Sequence, residues 1–221
     1  MKTRNTYSPG VLVFCLLATL TLFVEQSPAA TLLVANNNDS GAGSLRQAIL
    51  DNATLGGGNG IVFSNIVAGT ITLNSQLSIS NSVNIFGPGA NVLKVSGNNS
   101  RRVFNIAGGT VSIFDLTISD GRVLGTNGLS ANKGENVVGG GIQNGAAASL
   151  TLTSCVISNN AALGGTGGPS NGGGGNGFGG GIYNEGTLTL NQCALDGNTA
   201  QGGSGGGAFG MGGEGWGGGL Y

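Results

Sequence analysis

The feature that most constrains the fold of this chain is a segment of about 38 residues that occurs twice and begins a third time. GGGIQNGAAASLTLTSCVISNN runs from Gly139 to Asn160, GGGIYNEGTLTLNQCALDGN runs from Gly179 to Asn198, and GGGLY ends at Tyr221. In each full copy two apolar residues alternate with polar ones, the alternation slips by one residue, and two more apolar residues follow. These residues are Leu150, Leu152, Cys155 and Ile157, and then Leu188, Leu190, Cys193 and Leu195. A period of two predicts half-buried strands, and a slip at the same place in each copy predicts a corner.

A unit of this size cannot bury its apolar residues alone, so its copies must stack on one another, as they do in solenoid proteins. The sequence therefore predicts an all-β chain, a parallel β-helix, in which three strands per repeat are followed by a glycine-rich excursion. The same pattern in TVSIFDLTISDG, from Thr110 to Gly121, predicts a further copy. The corner residues Asn159, Asn160 and Asn198 suit turns and can form ladders of side-chain hydrogen bonds.

Glycine makes up 47 of the 221 residues, and 34 of these glycines lie between Gly121 and Gly219. Such an excess without a Gly-X-Y period is typical of low-complexity sequence. Here the glycine-rich segments alternate with apolar, β-branched runs, so we interpret only these segments as flexible excursions. They begin near Gly121, Ala161 and Thr199, and we expect them to leave the strands at one corner and to form a lobe along one side.

Residues 1–29 have the pattern of a secretory signal peptide. A short basic start is followed by the apolar run Val11–Val24 and by small residues that include Ser27 and Ala29. Fourteen apolar residues are too few to span a bilayer, which requires about 20 residues in a helix. We therefore expect an exported protein whose mature chain starts near Ala30.

Residues 30–60 are predicted to form an N-terminal cap, which would cover the unpaired strand edges at one end of the β-helix. Ser44 and Gln47 have the spacing of a capping box. The apolar residues that follow share one helical face, so we expect a short helix from about Leu45 to Asn52.

The predicted β-helix occupies residues 61–221. The sequence stops at Tyr221, directly after glycines that are expected to open another strand. We therefore expect the β-helix to be incomplete at its C-terminal end and the sequence to be the N-terminal part of a longer protein.

Several stretches resemble a family of bacterial surface proteins, namely NNNDSGAGSLRQAILDN, GPGANVLKVSGNN and GGGIYNEGTLTLNQC. The family consists of right-handed parallel β-helix proteins with a CSLREAI-type N-terminal segment, akin to polymorphic outer membrane proteins and autotransporter passengers. The resemblance covers essentially the whole mature chain. It implies a right-handed coil, secretion or display at the cell outer membrane, and an adhesive role. Ser44 stands where the motif often has cysteine, and membrane association would depend on a region missing after Tyr221.

Composition excludes several classes of function. The chain has no histidine, which removes the commonest general base, the commonest zinc ligand and the usual nucleophile triads. The predicted mature chain has six basic and eight acidic residues, with no basic patch for nucleic acid or anionic lipid. The glycine-rich segments lack phosphate-loop and GGxGxD motifs. We expect no metal or cofactor, and a partner on a host, matrix or carbohydrate surface.

Three carboxylates are the candidates for an enzymatic site, since β-helix lyases and glycosidases use paired acids. Asp120 and Asp196 both follow the third predicted strand, two repeats apart and one position out of register, which places them on the order of 10 Å apart. Glu185 shares a repeat with Asp196 but lies at a different corner. We expect no catalytic residue, and a carbohydrate-active enzyme that uses these three acids is the alternative.

Val138, Phe178 and Trp216 are the binding candidates, because each directly precedes a run of three glycines and the three residues are therefore in register. Aromatic side chains in such a strip can stack on a sugar ring or a partner, and simple packing is the alternative. Cys155 and Cys193 occupy equivalent positions of the repeat. We expect buried free thiols there, and a disulfide between them is the alternative.

The outward residues Thr151, Thr153, Thr187 and Thr189 form a Thr-x-Thr pattern on neighbouring strands, which makes an ice-binding surface a minor alternative. Threonine is also simply favoured at exposed strand positions. Taken together, the residues favour a secreted or cell-surface module with a structural and adhesive display role.

Overall fold

The computed structural model describes residues 29–221, which are mostly β-structure with one α-helix. The predicted signal peptide lies outside the described residues, apart from Ala29. No helix among residues 29–221 has the length and apolar character needed to cross a membrane.

Within residues 29–221, twenty-one strands and helix α1 follow one another. Their bounds are β1 Thr31–Val34, α1 Leu45–Thr54, β2 Asn59–Phe63, β3 Gly69–Thr72, β4 Leu77–Ile79, β5 Val83–Phe86, β6 Leu93–Ser96, β7 Phe104–Ile106, β8 Gly109–Phe114, β9 Thr117–Ser119, β10 Arg122–Leu124, β11 Val137–Val138, β12 Ile142–Asn144, β13 Ala148–Thr153, β14 Val156–Ser158, β15 Ala161–Leu163, β16 Gly177–Phe178, β17 Ile182–Asn184, β18 Thr187–Asn191, β19 Ala194–Asp196, β20 Thr199–Gln201 and β21 Gly215–Trp216.

Every strand pair is parallel, and the strands form five sheets. Sheet A has the order β1-β2-β5-β8-β13-β18, sheet B β19-β14-β9-β6-β3, sheet C β17-β12-β7-β4, sheet D β10-β15-β20 and sheet E β11-β16-β21. Each repeat adds one strand to each sheet, first β11–β15 and then β16–β20. This arrangement is compatible with a parallel β-helix. It differs from the predicted three strands per repeat, because the ends of the glycine-rich segments also pair and form sheets D and E.

The slip in the repeat is a corner, as predicted. Residues in the left-handed region of backbone space, with φ near +55°, recur at equivalent positions of successive repeats. At the slip these residues are Asp115, Ser154 and Gln192, and after the next strand they are Asp120, Asn159 and Gly197. A third corner has Gly139, Gly179 and Gly217. A left-handed residue reverses the side-chain parity of the strand that follows, which keeps the apolar residues of both strands pointing inward.

The apolar residues of the pattern form one buried core that runs through the described chain. Leu150, Leu152 and Ile157 are completely buried, and Leu188, Leu190 and Leu195 pack against them in the next repeat. The last repeat is less buried than the ones before it because its strands β18 and β19 each pair on one side only.

Helix α1 begins where the capping signal predicts and runs two residues beyond the predicted end. Its N-cap Ser44 accepts a hydrogen bond from the Gln47 N–H (3.1 Å). The reciprocal capping-box bond is absent, since the Gln47 side chain donates to Asp51 instead (2.8 Å). The buried face of α1 joins the same core through Leu45, Ala48 and Ile49 and packs on β1 and β2.

Candidate functional site

The two cysteines lie in one column of the core. Val156 pairs with Ala194, which places Cys155 and Cys193 at equivalent positions of neighbouring strands. Both are free thiols in the structure, and the alternative disulfide is not formed. Cys155 is buried and Cys193 is partly accessible. Burial raises the pKa of the Cys155 thiol to about 11.

We expect Cys193 to react with a thiol reagent at pH 8 in the native chain that starts at Ala30, and Cys155 to remain unmodified. A pKa of about 11 keeps the buried thiol neutral at pH 8, and the thiolate is the reactive species. Mass spectrometry after iodoacetamide treatment measures this directly, with Cys193→Ser expected to show no native labelling. Equal labelling of both cysteines before denaturation would contradict the burial of Cys155.

The acidic candidate Asp120 is engaged in a local ion pair. Lys94 Nζ lies 3.2 Å from its carboxylate, and the hydroxyls of Ser96 and Ser119 donate to the same oxygen at 3.0 and 2.9 Å. Burial by itself raises the pKa of Asp120, but these three hydrogen bonds outweigh it and leave the pKa below its ordinary value. A general acid must carry a proton at neutral pH and would have a raised pKa, so this environment does not suit Asp120 to that role.

The other two carboxylates do not join Asp120. Ser119, the residue before Asp120, pairs with Ser158, and Ser158 pairs with Asp196. Asp196 therefore lies two strands away from Ser119 in sheet B. Two strand spacings amount to about 10 Å, beyond the usual separation of paired glycosidase acids. Glu185 lies after strand β17 of sheet C and accepts a hydrogen bond from the Tyr183 hydroxyl (3.2 Å). Among residues 29–221 no group of three potential metal-ligating side chains is found.

The three binding candidates form a rank on sheet E. Val138 pairs with Phe178, and Phe178 pairs with Trp216. Val138 and Phe178 are half-buried, whereas 48% of Trp216 is exposed. The indole N–H of Trp216 donates to Glu214 (3.1 Å). The predicted register is therefore confirmed, and exposure increases along the rank towards Trp216.

A second rank, on sheet C, meets the first at the triple-glycine corner. Gln143 pairs with Tyr183, and the bridge between Ile182 and Leu220 places Tyr221 next in line. Tyr183 and Tyr221 stack with ring centres 5.6 Å apart, and Tyr221 also lies 5.0 Å from the ring of Phe178. Sequence reasoning missed Tyr183 and Tyr221, although GGGIY and GGGLY repeat them at the same offset. We call the two ranks together the aromatic corner.

Arg102 supports this corner from the preceding repeat. Its guanidinium donates to the carbonyls of Val138 and Gly139 (both 2.8 Å) and to the side chain of Gln76 (3.1 Å). Burial lowers the pKa of Arg102 from its ordinary value, but a guanidinium remains charged at any physiological pH. Arg102 thus connects sheet E to the solenoid-like core and holds the corner where the two ranks meet.

The glycine-rich segments are not loose excursions, and in this respect the sequence interpretation is wrong. We define three glycine loops, residues 125–136, 164–176 and 202–214, each with an outgoing arm, a tip and a return arm. Arms of one kind bond to each other along the stack, as Gly167 N–H does to Ser204 O (2.8 Å) and Gly134 N–H does to Gly173 O (2.9 Å).

Outgoing and return arms also bond across the stack. Gly175 N–H donates to Gly165 O (2.7 Å) within loop 2, and Gly203 N–H donates to Gly175 O (2.8 Å) from loop 3. At most of these glycines a Cβ atom would overlap a neighbouring backbone, as at Gly165 against Thr126 O. Only glycine permits arms to approach so closely, so the composition follows from backbone packing. We call this packed body the glycine lobe.

Asparagine side chains complete the hydrogen bonding on the outside of the lobe and at the corners. The Asn127 side chain accepts from Thr166 N–H (2.9 Å), and Asn136 accepts from Asn176 N–H (2.7 Å). In the core, the predicted asparagine ladder is confirmed at Asn160 and Asn198, which are joined by a 2.9 Å side-chain bond. Asn159 instead occupies a left-handed turn position.

The threonine pattern of sheet A is a short and interrupted ladder. Thr151 pairs with Ser112 and with Thr189, but Thr153 pairs with Phe114 and with Asn191. Ser112, Thr151 and Thr189 therefore form one row of aligned hydroxyls, whereas the next row contains Phe114 and Asn191 beside Thr153. The surface offers fewer aligned hydroxyls than the sequence pattern suggests.

Comparison of the chain with family models, with curated proteins and with solved structures finds no match. The resemblance to bacterial surface proteins therefore stays a prediction from the quoted motifs. What the chain does must be argued from its own geometry.

Proposed function

We propose that this chain is a right-handed parallel β-helix that is exported and acts, secreted or at a cell surface, as a non-catalytic structural and adhesive display module. Parallel pairing in all five sheets supports the coil, and sheet A contains strands from Thr31 to Asn191. A stack of this kind is stiff because each repeat buries its apolar residues against its neighbours. The resemblance described above supplies the handedness and the cellular location.

The observation that carries the proposal is the aromatic corner. The repeats are nearly identical in their buried residues, yet their outward residues change from Val138 to Phe178 to Trp216 and from Gln143 to Tyr183. Aromatic residues that are half-exposed and held on paired strands lose little conformational freedom on binding. A flat apolar ring with nearby carboxylates, here Glu214, suits the faces and hydroxyls of a carbohydrate.

The acidic residues favour this reading over a carbohydrate-active enzyme. Asp120 is paired with Lys94, and its lowered pKa is the opposite of what a general acid requires. Asp196 is the last residue of β19 in sheet B and Glu185 follows β17 of sheet C, so these two acids come from different sheets. A carbohydrate-active enzyme would release sugar from its substrate and an adhesive module would only bind it, so one experiment separates the two functions.

We expect the chain from Ala30 to bind one or more members of a panel of pectin, alginate and β-glucan, with and without calcium, without releasing sugar. Trp216→Ala should weaken that binding by roughly two- to tenfold, the effect of removing one aromatic contact. Binding can be measured by isothermal titration calorimetry and turnover by reducing-sugar release.

Phe86→Ala is the matched control. Phe86 is 44% exposed and stacks on Phe114 in sheet A, away from the aromatic corner, so its loss should leave binding unchanged. Sugar release that is abolished by Asp120→Asn or Asp196→Asn would show the enzyme instead. Equal weakening by both aromatic variants would contradict a site at the corner.

A further inference from the structure

The tip of the glycine lobe exposes large apolar side chains that the aromatic corner does not use. Leu129 is 76% exposed, Phe209 is 84% exposed and Met211 is 80% exposed. Leu129 and Phe209 lie in the turns of loops 1 and 3, and Met211 lies two residues behind Phe209 on the return arm. Side chains of this size are seldom so open unless a surface covers them in use.

These side chains are carried by an ordered backbone. Ser170 N–H donates to Ser130 O (2.9 Å), which joins the tips of loops 1 and 2. Phe209 N–H donates to the Asn171 side chain (3.0 Å), which joins the tips of loops 2 and 3. Behind the tips, outgoing and return arms of four or five residues connect them to the strands of sheets D and E.

We propose that this tip is a membrane-contact surface, which inserts Leu129, Phe209 and Met211 into the interface of a lipid bilayer. The tip comprises about ten residues, namely the turns at 130–131, 169–171 and 207–209 together with Leu129 and Met211, whereas a stable protein–protein interface uses about 20–30 residues a side. A bilayer needs no complementary pocket and accepts separate apolar side chains that protrude from a rigid support.

Charge contributes little to this surface, because the three glycine loops together carry one lysine and two glutamates. Lys133 is the only charged residue among the tips and the first residues of the return arms, and it is exposed. The nearest acids in the sequence, Glu135 and Glu214, lie further back along the return arms. One lysine adds a modest attraction to anionic headgroups, and the three apolar side chains contribute the larger part of the binding energy.

This inference goes beyond the proposed function and uses different residues. Binding of a polysaccharide at Trp216 and binding of lipid at Phe209 can each succeed or fail alone. The two results therefore remain distinguishable in the same preparation.

The test is co-sedimentation of the full mature chain with sucrose-loaded vesicles of phosphatidylcholine containing about 30% phosphatidylglycerol, up to about 1 mM lipid. We expect saturable binding of the unaltered chain. Phe209→Ser and Met211→Ser should each weaken it roughly tenfold or more, because each substitution removes the free energy of transferring a large apolar side chain from water into the bilayer. Lys133→Gln should reduce binding by about fivefold, and only to the anionic vesicles.

Ile66→Ser is the matched control, because Ile66 is 77% exposed but lies in the turn between β2 and β3. It should bind vesicles like the unaltered chain. All these side chains are open to solvent, so the variants are expected to fold. If the unaltered chain does not sediment with vesicles at about 1 mM lipid, the proposal is overturned, and this is also the result expected if the tip binds a protein instead. If Ile66→Ser loses as much vesicle binding as Phe209→Ser, the proposal is likewise overturned.

Discussion

Gly175→Ala is expected to lower the free energy of unfolding by about 2–4 kcal/mol, because it places a methyl group inside the glycine lobe. The new Cβ would overlap the carbonyl oxygen of Glu135. Relief of that overlap separates arms that are joined by the Gly175–Gly165 and Gly203–Gly175 hydrogen bonds (2.7 and 2.8 Å). Chemical denaturation measures the loss, and hydrogen exchange of the lobe amides locates it.

Gly173→Ala is the control, two residues away on the same arm. Its Cβ would meet nothing closer than Met211 O at 3.7 Å, and neither glycine has a positive φ. Alanine at residue 173 should therefore leave stability unchanged or raise it slightly, through the lower entropy of the unfolded chain. Similar effects of the two substitutions would mean that the arms are not packed as described.

Asn160→Ala is expected to lower the free energy of unfolding by about 3–5 kcal/mol. Asn160 is fully buried, and its side chain accepts from Gly121 N–H (2.8 Å) and donates to Ile118 O (3.1 Å). It also donates to Asn198 (2.9 Å). Removing the amide leaves the buried Gly121 N–H without its partner, at about 1–3 kcal/mol, and also removes the bonds to Ile118 O and Asn198, at about 0.5–1.5 kcal/mol each. Urea denaturation with a fixed m-value measures the change.

Asn127→Ala separates burial from hydrogen bonding. The exposed side chain of Asn127 accepts from Thr166 N–H (2.9 Å), so it makes the same kind of contact between neighbouring repeats. Water can replace that bond, and we expect a loss of less than about 1 kcal/mol. If the two asparagines cost the same, desolvation of the Asn160 partners is not the cause.

Much of the strand arrangement could be predicted because the same pattern of apolar residues recurs in each repeat. The slip before Cys155 and Cys193 predicted a corner, and the structure has left-handed residues there at Ser154 and Gln192. Equivalent spacing predicted that Val138, Phe178 and Trp216 stand in register, and they do. Parallel stacking converts sequence periodicity directly into spatial neighbours, so these inferences needed no long-range information.

The candidate site was only half predicted. The Phe178–Tyr221 contact (5.0 Å) depends on the angle that the triple-glycine corner makes between sheets E and C, which no period reveals. Asp120 was considered as an acid because of its position after a strand. Its partner Lys94 lies 26 residues earlier, on a strand whose register with Ser119 is visible only in the fold.

The sequence by itself determined the repeat, the apolar positions, the corners and the helix N-cap, since each depends on residues a few positions apart. Only the tertiary structure decided what the glycines do. A glycine contributes the absence of a side chain, and a sequence does not show which neighbour takes that space. At Gly165 it is the backbone of Thr126, and that contact turns three expected flexible loops into a packed lobe with an apolar tip.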